Sequence, residues 1–188
     1  MPSICLNTAI AITGLSRRTL WRRINEGGVS TLGTHEQGEE TRLNLDDVLP
    51  LSSLPLEPED QAIIVAADQG EAVAQCDLAI LLLNAARPTE AIPWFTLSAK
   101  QFYADAMCFL GRCYLSGDGV SRDADAGLMW LSHAAAKGHP LAQELMAFLL
   151  SPAGQQQRSA GDLVALNAVL DDIERRILLQ TIEETADL

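Results

Sequence analysis

The second half of this 188-residue chain repeats itself, and that self-similarity limits its fold more than any other feature. Ala67, Gly70 and Ala74 stand 68 residues ahead of Ala135, Gly138 and Ala142, which aligns AADQGEAVA with AAAKGHPLA. Half that interval exposes the unit. Ala74, Cys76, Leu78 and Leu83 match Ala106, Cys108, Leu110 and Leu115 at a separation of 32, and Trp94, Ala99 and Ala106 match Trp130, Ala135 and Ala142 at 36. The first full unit is thus about four residues short in its inner loop, the difference between the two separations. A period in the mid-thirties with small residues at fixed places indicates antiparallel helix pairs stacked into a solenoid, where alanine and glycine allow close approach. Helices are expected near 59–69, 72–84, 89–101, 104–116, 123–137 and 140–150, with no convincing strand after residue 58.

An apolar share of 48% supports a substantial core, and the length fits one medium domain or two small ones. Thirteen basic against 25 acidic residues leave a formal charge of -12, which excludes a globally basic coat for nucleic acid or anionic membrane. The distribution is uneven. Residues 1–30 carry Arg17, Arg18, Arg22 and Arg23 against Glu26 alone, a local +3 that leaves about -15 on the remainder. Such asymmetry suits a small basic reader joined to an acidic body. The first thirteen residues hold no cation, and Asn7 and Thr8 interrupt their apolar run, so they make a poor secretory signal. No segment reaches the roughly 20 apolar residues that span a bilayer. Cys5, Cys76, Cys108 and Cys113 lack CxxC spacing and sit in apolar surroundings, as free thiols of a reducing compartment do. A cytoplasmic location without membrane contact is expected.

The N-terminal segment reads as two short helices and a hairpin. Asn7 or Thr8 can cap a helix through Ala9 to Thr13, Gly14 and Leu15 turn the chain, and Ser16 caps a second helix from Arg17 to about Glu26, stopped by Gly27-Gly28. VSTLGT and ETRLNL are short β-prone runs on either side of a loop at His35–Glu39, and LDDVLPL starts a short helix that Pro50 ends. At 100° per residue, Leu20 and Ile24 define the buried side of the second helix, Arg18 and Arg22 point nearly opposite, and Arg17, Trp21 and Arg23 lie on the flanks. An arginine-faced helix with a capped N-terminus can enter a major groove, Arg18 or Arg22 forking onto guanine while its neighbours hold phosphates. Trp21 could brace the first helix or touch the sugar-phosphate backbone. The bland reading of the four arginines is a solvated face paired with acids elsewhere.

These residues resemble the excisionase-like and MerR-like winged helix-turn-helix over roughly residues 4–50. The carriers are the small-residue first helix, the Gly14-Leu15-Ser16 turn, Arg17-Arg18-Thr19-Leu20, Ile24, the Glu26-Gly27-Gly28 stop and the Arg42-x-Asn44-x-Asp46-Asp47-Val48 return. The resemblance implies binding of double-stranded DNA by Arg17, Arg18, Arg22 and Arg23, with Thr19, Trp21 and Arg42 in backbone contact or support. The expected wing, His35-Glu36-Gln37-Gly38-Glu39-Glu40, is acidic where such wings are usually basic, so it points away, contacts protein or lowers affinity. At physiological salt the Debye length is about 8 Å, which screens the distant acids of the body from a bound duplex.

Residues 50–58, PLSSLPLEP, hold three prolines and form a linker candidate. Beyond it, Ala106, Leu110-Gly111, Tyr114, Gly117-x-Gly119-Val120, Asp123, Ala126, Trp130, Ala134-Ala135 and Gly138 resemble a Sel1-like repeat, a relative of the tetratricopeptide repeat. That resemblance implies a protein partner on a helical surface, and the flanking copies are degenerate. Leu163, Leu166, Leu170, Ile173 and Ile177 alternate at spacings of three and four. The stripe belongs either to a helix capping the last repeat or to a homodimer seam.

Other chemistries lack support in the sequence. Gly117-Asp118-Gly119 has no following Lys-Ser/Thr, so it is a turn and not a phosphate loop. The spacing of Cys108, Cys113 and His133 suits no metal-ligand pair. His35, His133 and His139 form no recognisable constellation with a nucleophile. No enzyme activity, cofactor or metal is expected.

The expected fold is mainly α: a winged helix-turn-helix at 1–50, a Pro-rich linker at 51–58, Sel1-like helical repeats at 59–150 and a C-terminal helix at 151–188. The expected function is DNA-binding transcriptional regulation with a protein partner on the repeats. The alternative is a protein-protein adapter whose winged helix does not bind DNA.

Overall fold

A computed structural model describes residues 2–32 and 41–186. The chain is mainly α and divides into two compact units, Met1–Ser98 and Ala99–Leu188.

The first unit opens with β1 (Ser3–Cys5), α1 (Leu6–Thr13) and α2 (Arg17–Asn25), continues through β2 (Thr31–Leu32), β3 (Arg42–Asn44) and α3 (Leu45–Val48), and adds α4 (Asp60–Asp68), α5 (Ala72–Asn84) and α6 (Pro88–Lys100). The strands form an antiparallel sheet in the order β1-β3-β2, with Ile4 opposite Leu43 and Thr31 opposite Leu43 on the other edge. Ile4, Leu6, Ile12, Leu20, Leu43, Leu45 and Val48 make the core beneath it. The strand β1 escaped sequence reading because three residues are too few to show alternation. Its presence moves the start of α1 forward. The cap is Cys5, whose Sγ accepts from the Thr8 amide, in place of the expected Asn7 or Thr8, because pairing with β3 holds Cys5 extended. Residues 33–40, including the expected wing from His35 to Glu40, lie outside the described residues. The proline-rich stretch lies within this unit: Leu49–Leu51 form a 3-10 turn, and Ser52 and Ser53 donate from hydroxyl and amide to the carbonyl of Ile12.

The second unit contains α7 (Ala104–Ser116), α8 (Ala124–Ala136), α9 (Pro140–Leu150), α10 (Pro152–Ala160) and α11 (Leu163–Ala186). The six helices expected between 59 and 150 are all present as α4 to α9, each within about two residues of its expected ends. The inner loop of the first pair, 85–87, has three residues, and that of the second, 117–123, has seven, which accounts for the difference between the two repeat intervals.

Helices α7 and α8 pack backbone to backbone. A Cβ on Gly111 would meet Leu131 at 2.8 Å and the Gly127 carbonyl at 3.0 Å, and one on Gly127 would meet Leu115 at 2.8 Å and the Gly111 carbonyl at 3.0 Å. The crossed pairs, 111 with 131 and 115 with 127, establish the antiparallel sense. Asp123 caps α8 by accepting from the amides of Asp125 and Ala126.

Helix α11 places Leu166, Leu170 and Ile173 in the core of this unit with Leu163 and Ile177 half-buried, so the apolar stripe packs internally as a cap. Arg112 of α7 fixes it further, ion-paired to Asp171 at 2.7 Å and to Glu174. Cys76, Cys108 and Cys113 are buried free thiols, and Cys5 is half-buried. Burial pushes the Cys108 thiol up to about 12 and that of Cys113 to about 11. No described helix is long and apolar enough to cross a membrane.

The glycine contact is open to a simple check. Gly127→Ala, read by urea denaturation, is expected to lower stability by about 2 kcal/mol through overpacking of Leu115, whereas Ala136→Ser on an exposed face of the same helix should leave the midpoint unchanged.

Candidate nucleic-acid and repeat surfaces

Helix α2 forms where the sequence caps it. The Ser16 hydroxyl accepts from the Thr19 amide at 3.1 Å and pairs with the Thr19 hydroxyl at 2.9 Å, and the Glu26-Gly27 turn ends the helix with Gly27 at φ +77. Leu20 is fully buried and Ile24 half-buried, so the opposite side faces solvent.

The arginines divide into three situations. Arg18 and Arg22 stand exposed on the outward face; among the described residues the one ion pair of Arg22 is with Glu26, 3.9 Å away with both side chains about two-thirds exposed, so it holds the guanidinium weakly. Arg17 is exposed but directed, its Nη2 donating to the Asn7 Oδ1 of α1 at 2.7 Å. Arg23 lies half-buried on one flank, with its Nε shut from water and unbonded among the described residues, and Trp21 is half-buried on the other flank.

Arg42 sits apart from this group. Its Nη1 lies 2.7 Å from Asp68 Oδ2, its Nη2 donates to the Ser3 carbonyl at 2.6 Å and its Nε to the Ser3 hydroxyl at 3.3 Å. These bonds tie β3 to β1 and α4, so of the two roles expected for Arg42 the geometry supplies support. Asp68 is the centre of that arrangement. Its side chain is completely buried, and Oδ1 accepts from the Cys5 amide at 2.8 Å and from the Thr8 hydroxyl. On the opposite edge, Asp47 accepts from the Ser30 amide at 2.8 Å, which steadies the approach to β2 and holds the Asp47 carboxyl below its ordinary range.

Sequence reasoning did not find Asn7 and Asp68. Neither carries a spacing signal, since each works through a partner ten or more positions away.

The repeat surface contains one residue that a closer comparison of the turns would have flagged. Gly70, Phe102 and Gly138 occupy the same place, just ahead of α5, α7 and α9, at the intervals of 32 and 36 already noted, and all three are left-handed, with φ of +96, +65 and +85. A phenylalanine in that conformation costs about 1 kcal/mol relative to glycine. Phe102 is nonetheless 67% exposed, with the Lys137 ammonium 5.5 Å from its ring centroid. Phe109 and Met129 are further exposed apolar side chains of the same unit. His139, next to the third of these turns, caps α9 by accepting at Nδ1 from the Ala142 amide and faces Asp105 at 3.3 Å. Among the described residues no group of three or more His, Cys, Asp or Glu could hold a metal.

The α7–turn–α8–turn unit, with its glycine crossing and seven-residue inner loop, is the decisive feature for comparison. Residues 104–139 match the Sel1 repeat. A fungal protein carrying the name chitin synthase regulatory factor 3, from Schizosaccharomyces pombe (strain 972 / ATCC 24843), is 35% identical over 92 residues, covering 45% of this chain and 10% of its own length. The crystal structure of a Sel1 repeat protein from Oxalobacter formigenes is 34% identical, covers 50% of this chain and 29% of that one, and superposes with a TM-score of 0.46. The chain therefore spans about a tenth of the curated relative and under a third of the solved one. The Sel1 repeat is shown for α7 and α8; α4 to α6 share its spacing and small residues without its inner loop.

The buried carboxylate gives a testable consequence. Asp68→Ala is expected to lower the stability of the first unit by about 3 kcal/mol, the cost of breaking a buried ion pair from one side. Denaturation followed by Trp21 and Trp94 fluorescence should shift accordingly, and Glu59→Ala on the exposed start of the same segment should not.

Proposed function

We propose that this protein is a DNA-binding regulator in which β1 to α3 form a winged helix-turn-helix and the Sel1 repeat binds a protein partner. The observation that carries the DNA part is the outward face of α2, where Arg18 and Arg22 are exposed on a capped helix and Glu26 holds Arg22 only weakly, in a chain whose charge is otherwise acidic. Arg17 and Arg23 flank that face, Arg17 held by Asn7 and Arg23 half-buried. Thr19 and Trp21 support the helix from its sides, and Arg42 supports it through the sheet. The face is small, so a single copy binds weakly and useful affinity comes from two copies or from a partner that adds contacts.

A second reading, the adapter, has its own observation. Arg17, Arg23 and Arg42 are each engaged or sheltered, which leaves two fully presented guanidinium groups for a duplex. An acidic protein segment would meet such a face equally well.

A salt titration of fluorescence anisotropy on duplex DNA separates the two. In the DNA reading, the wild-type protein binds at low salt, and Arg18→Ala with Arg22→Ala weakens binding and makes the slope of log K against log salt shallower by about 0.9 for each of the two that meets a phosphate. Absence of binding at low salt, or superimposable titrations for the two proteins, selects the adapter.

The protein-binding part rests on the Sel1 repeat and on the cost borne at Phe102. A strained, exposed aromatic ring is retained where its counterparts are glycines, as expected of an anchor for a partner. Phe102→Gly is expected to raise the stability of the second unit by about 1 kcal/mol. The same change should weaken retention of the partner recovered by the wild-type protein. If retention is unaffected, Phe102 is not the anchor.

A further inference from the structure

Helix α11 is apolar on two sides. Leu163, Leu166, Leu170, Ile173 and Ile177 face the interior of the second unit, and at 100° per residue a second row, Val164, Ala168, Asp171, Arg175, Leu178 and Ile182, falls within about 80° on the opposite side. All six of these residues are exposed, Val164 at 81%, Leu178 at 62% and Ile182 at 53%. Their spacings of four and three alternate without a break, the heptad pattern of a helix-pairing seam. Single exposed aliphatics are ordinary on a protein surface; a heptad row of them along one helix marks a surface that pairs.

The order of residues along the row determines what pairs with it. Turned end for end about the level of Ile173, the row matches itself: Val164 meets Ile182, Ala168 meets Leu178 and Asp171 meets Arg175, each twice. Two charged layers then lie between four apolar ones, and each charged layer joins an acid to a base. A parallel pair would set Asp171 against Asp171 and Arg175 against Arg175, like charge facing like. The charges are available for the antiparallel match. Among the described residues Arg175 takes part in no ion pair, although Asp171 stands four positions before it, and Asp171, bound to Arg112 through Oδ1, is still 57% exposed. An unrelated partner would place no demand on the reversed order of the row, whereas a two-fold contact between identical helices requires it.

We propose that α11 pairs antiparallel with α11 of a second copy of this chain across a two-fold axis. Val164, Ala168, Leu178 and Ile182 form the apolar seam, and Asp171 facing Arg175 of the second copy fixes its register and direction. The inward stripe stays in place as the cap of the second unit, so pairing requires no rearrangement of the chain. Eight apolar side chains make a modest seam, and the dimer forms at about micromolar concentration. The inference rests neither on the arginine face of α2 reading DNA nor on a partner of the repeat.

Sedimentation velocity on the full chain without DNA is expected to show twice the mass of one chain at submillimolar concentration and dissociation on dilution. Leu178→Glu with Ile182→Glu should give a monomer with unchanged helical circular dichroism. Val164→Glu, at the other end of the row, serves the same purpose if that pair does not fold. Arg175→Glu, which sets acid against Asp171 in both charged layers, should weaken dimerisation about ten-fold or more. Direction is read by cross-linking under mild oxidation. Val164 and Ile182 lie about 27 Å apart along one helix, so a mixture of Val164→Cys chains with Ile182→Cys chains should form a covalent dimer above the wild-type background, and neither variant should do so alone. The proposal is overturned if the wild type is monomeric at submillimolar concentration, if the glutamate variants or Arg175→Glu dimerise as wild type does, or if either cysteine variant cross-links by itself as readily as the mixture. DNA is absent throughout, so failure here is independent of the anisotropy result.

Discussion

The buried carboxylate of Asp68 is the point on which the first unit depends. An isolated carboxylate out of water costs several kcal/mol, and it is tolerated here because an arginine, a hydroxyl and a backbone amide meet it together. Those three donors come from β3, α1 and the end of β1, while the carboxylate comes from α4. One charged group therefore fixes a repeat-type helix against the sheet and the first helix of the N-terminal segment. The orientation of α1 in turn sets Asn7, and Asn7 directs Arg17. The placement of the basic face thus traces back through hydrogen bonds to an acidic residue at the end of a run of alanine, isoleucine and valine.

This connection changes how the boundary after residue 50 is understood. The proline-rich stretch has the composition of a linker, yet Ser52 and Ser53 bond to the last turn of α1, and the compact unit continues to Ser98. Proline removes backbone donors and fixes extended geometry. That suits a taut strap as well as a loose tether, and composition alone does not distinguish them.

Much of the fold was legible in the sequence because its determinants are local or periodic. The six central helices followed from repeated alanines and leucines, and α2 from Ser16 and the paired glycines, since capping and periodicity act within one or two turns. The apolar stripe of α11 was visible, but its use as a cap required the partners Arg112 and α9. Strand β1 and helix α10 were missed because one is too short for alternation and the other is rich in glutamine with no apolar face. The outward setting of Arg18 and Arg22 followed from 100° geometry, whereas the internal bonds of Arg42 did not, because nothing near Arg42 in the chain announces Asp68. Spacing identifies which side of a helix is wet; it does not identify which wet side chain is already held.

The short inner loop of the first helix pair is the clearest case of a sequence irregularity with a structural purpose. In the Sel1 repeat at 104–139, seven residues join the two helices, and Arg122 near the end of that loop turns back to the Leu115 carbonyl of its own pair at 3.1 Å. In the first pair only three residues are present, so the chain must reverse through a left-handed alanine, Ala86 at φ +57, closed by the Ala86 and Arg87 amides on the carbonyls of Leu83 and Leu82. The tight reversal delivers Arg87 to the position just ahead of α6. There its Nη1 donates to the Ser53 hydroxyl at 2.8 Å, and its guanidinium lies where a Cβ on Gly14 would come within 3.3 Å. Gly14, at φ +68, is the turn between α1 and α2. A loop of full length would carry its arginine elsewhere, as Arg122 shows. The missing four residues therefore convert a repeat turn into a clamp on the turn that sets α2, and Glu90, in the first turn of α6, steadies Arg87 there.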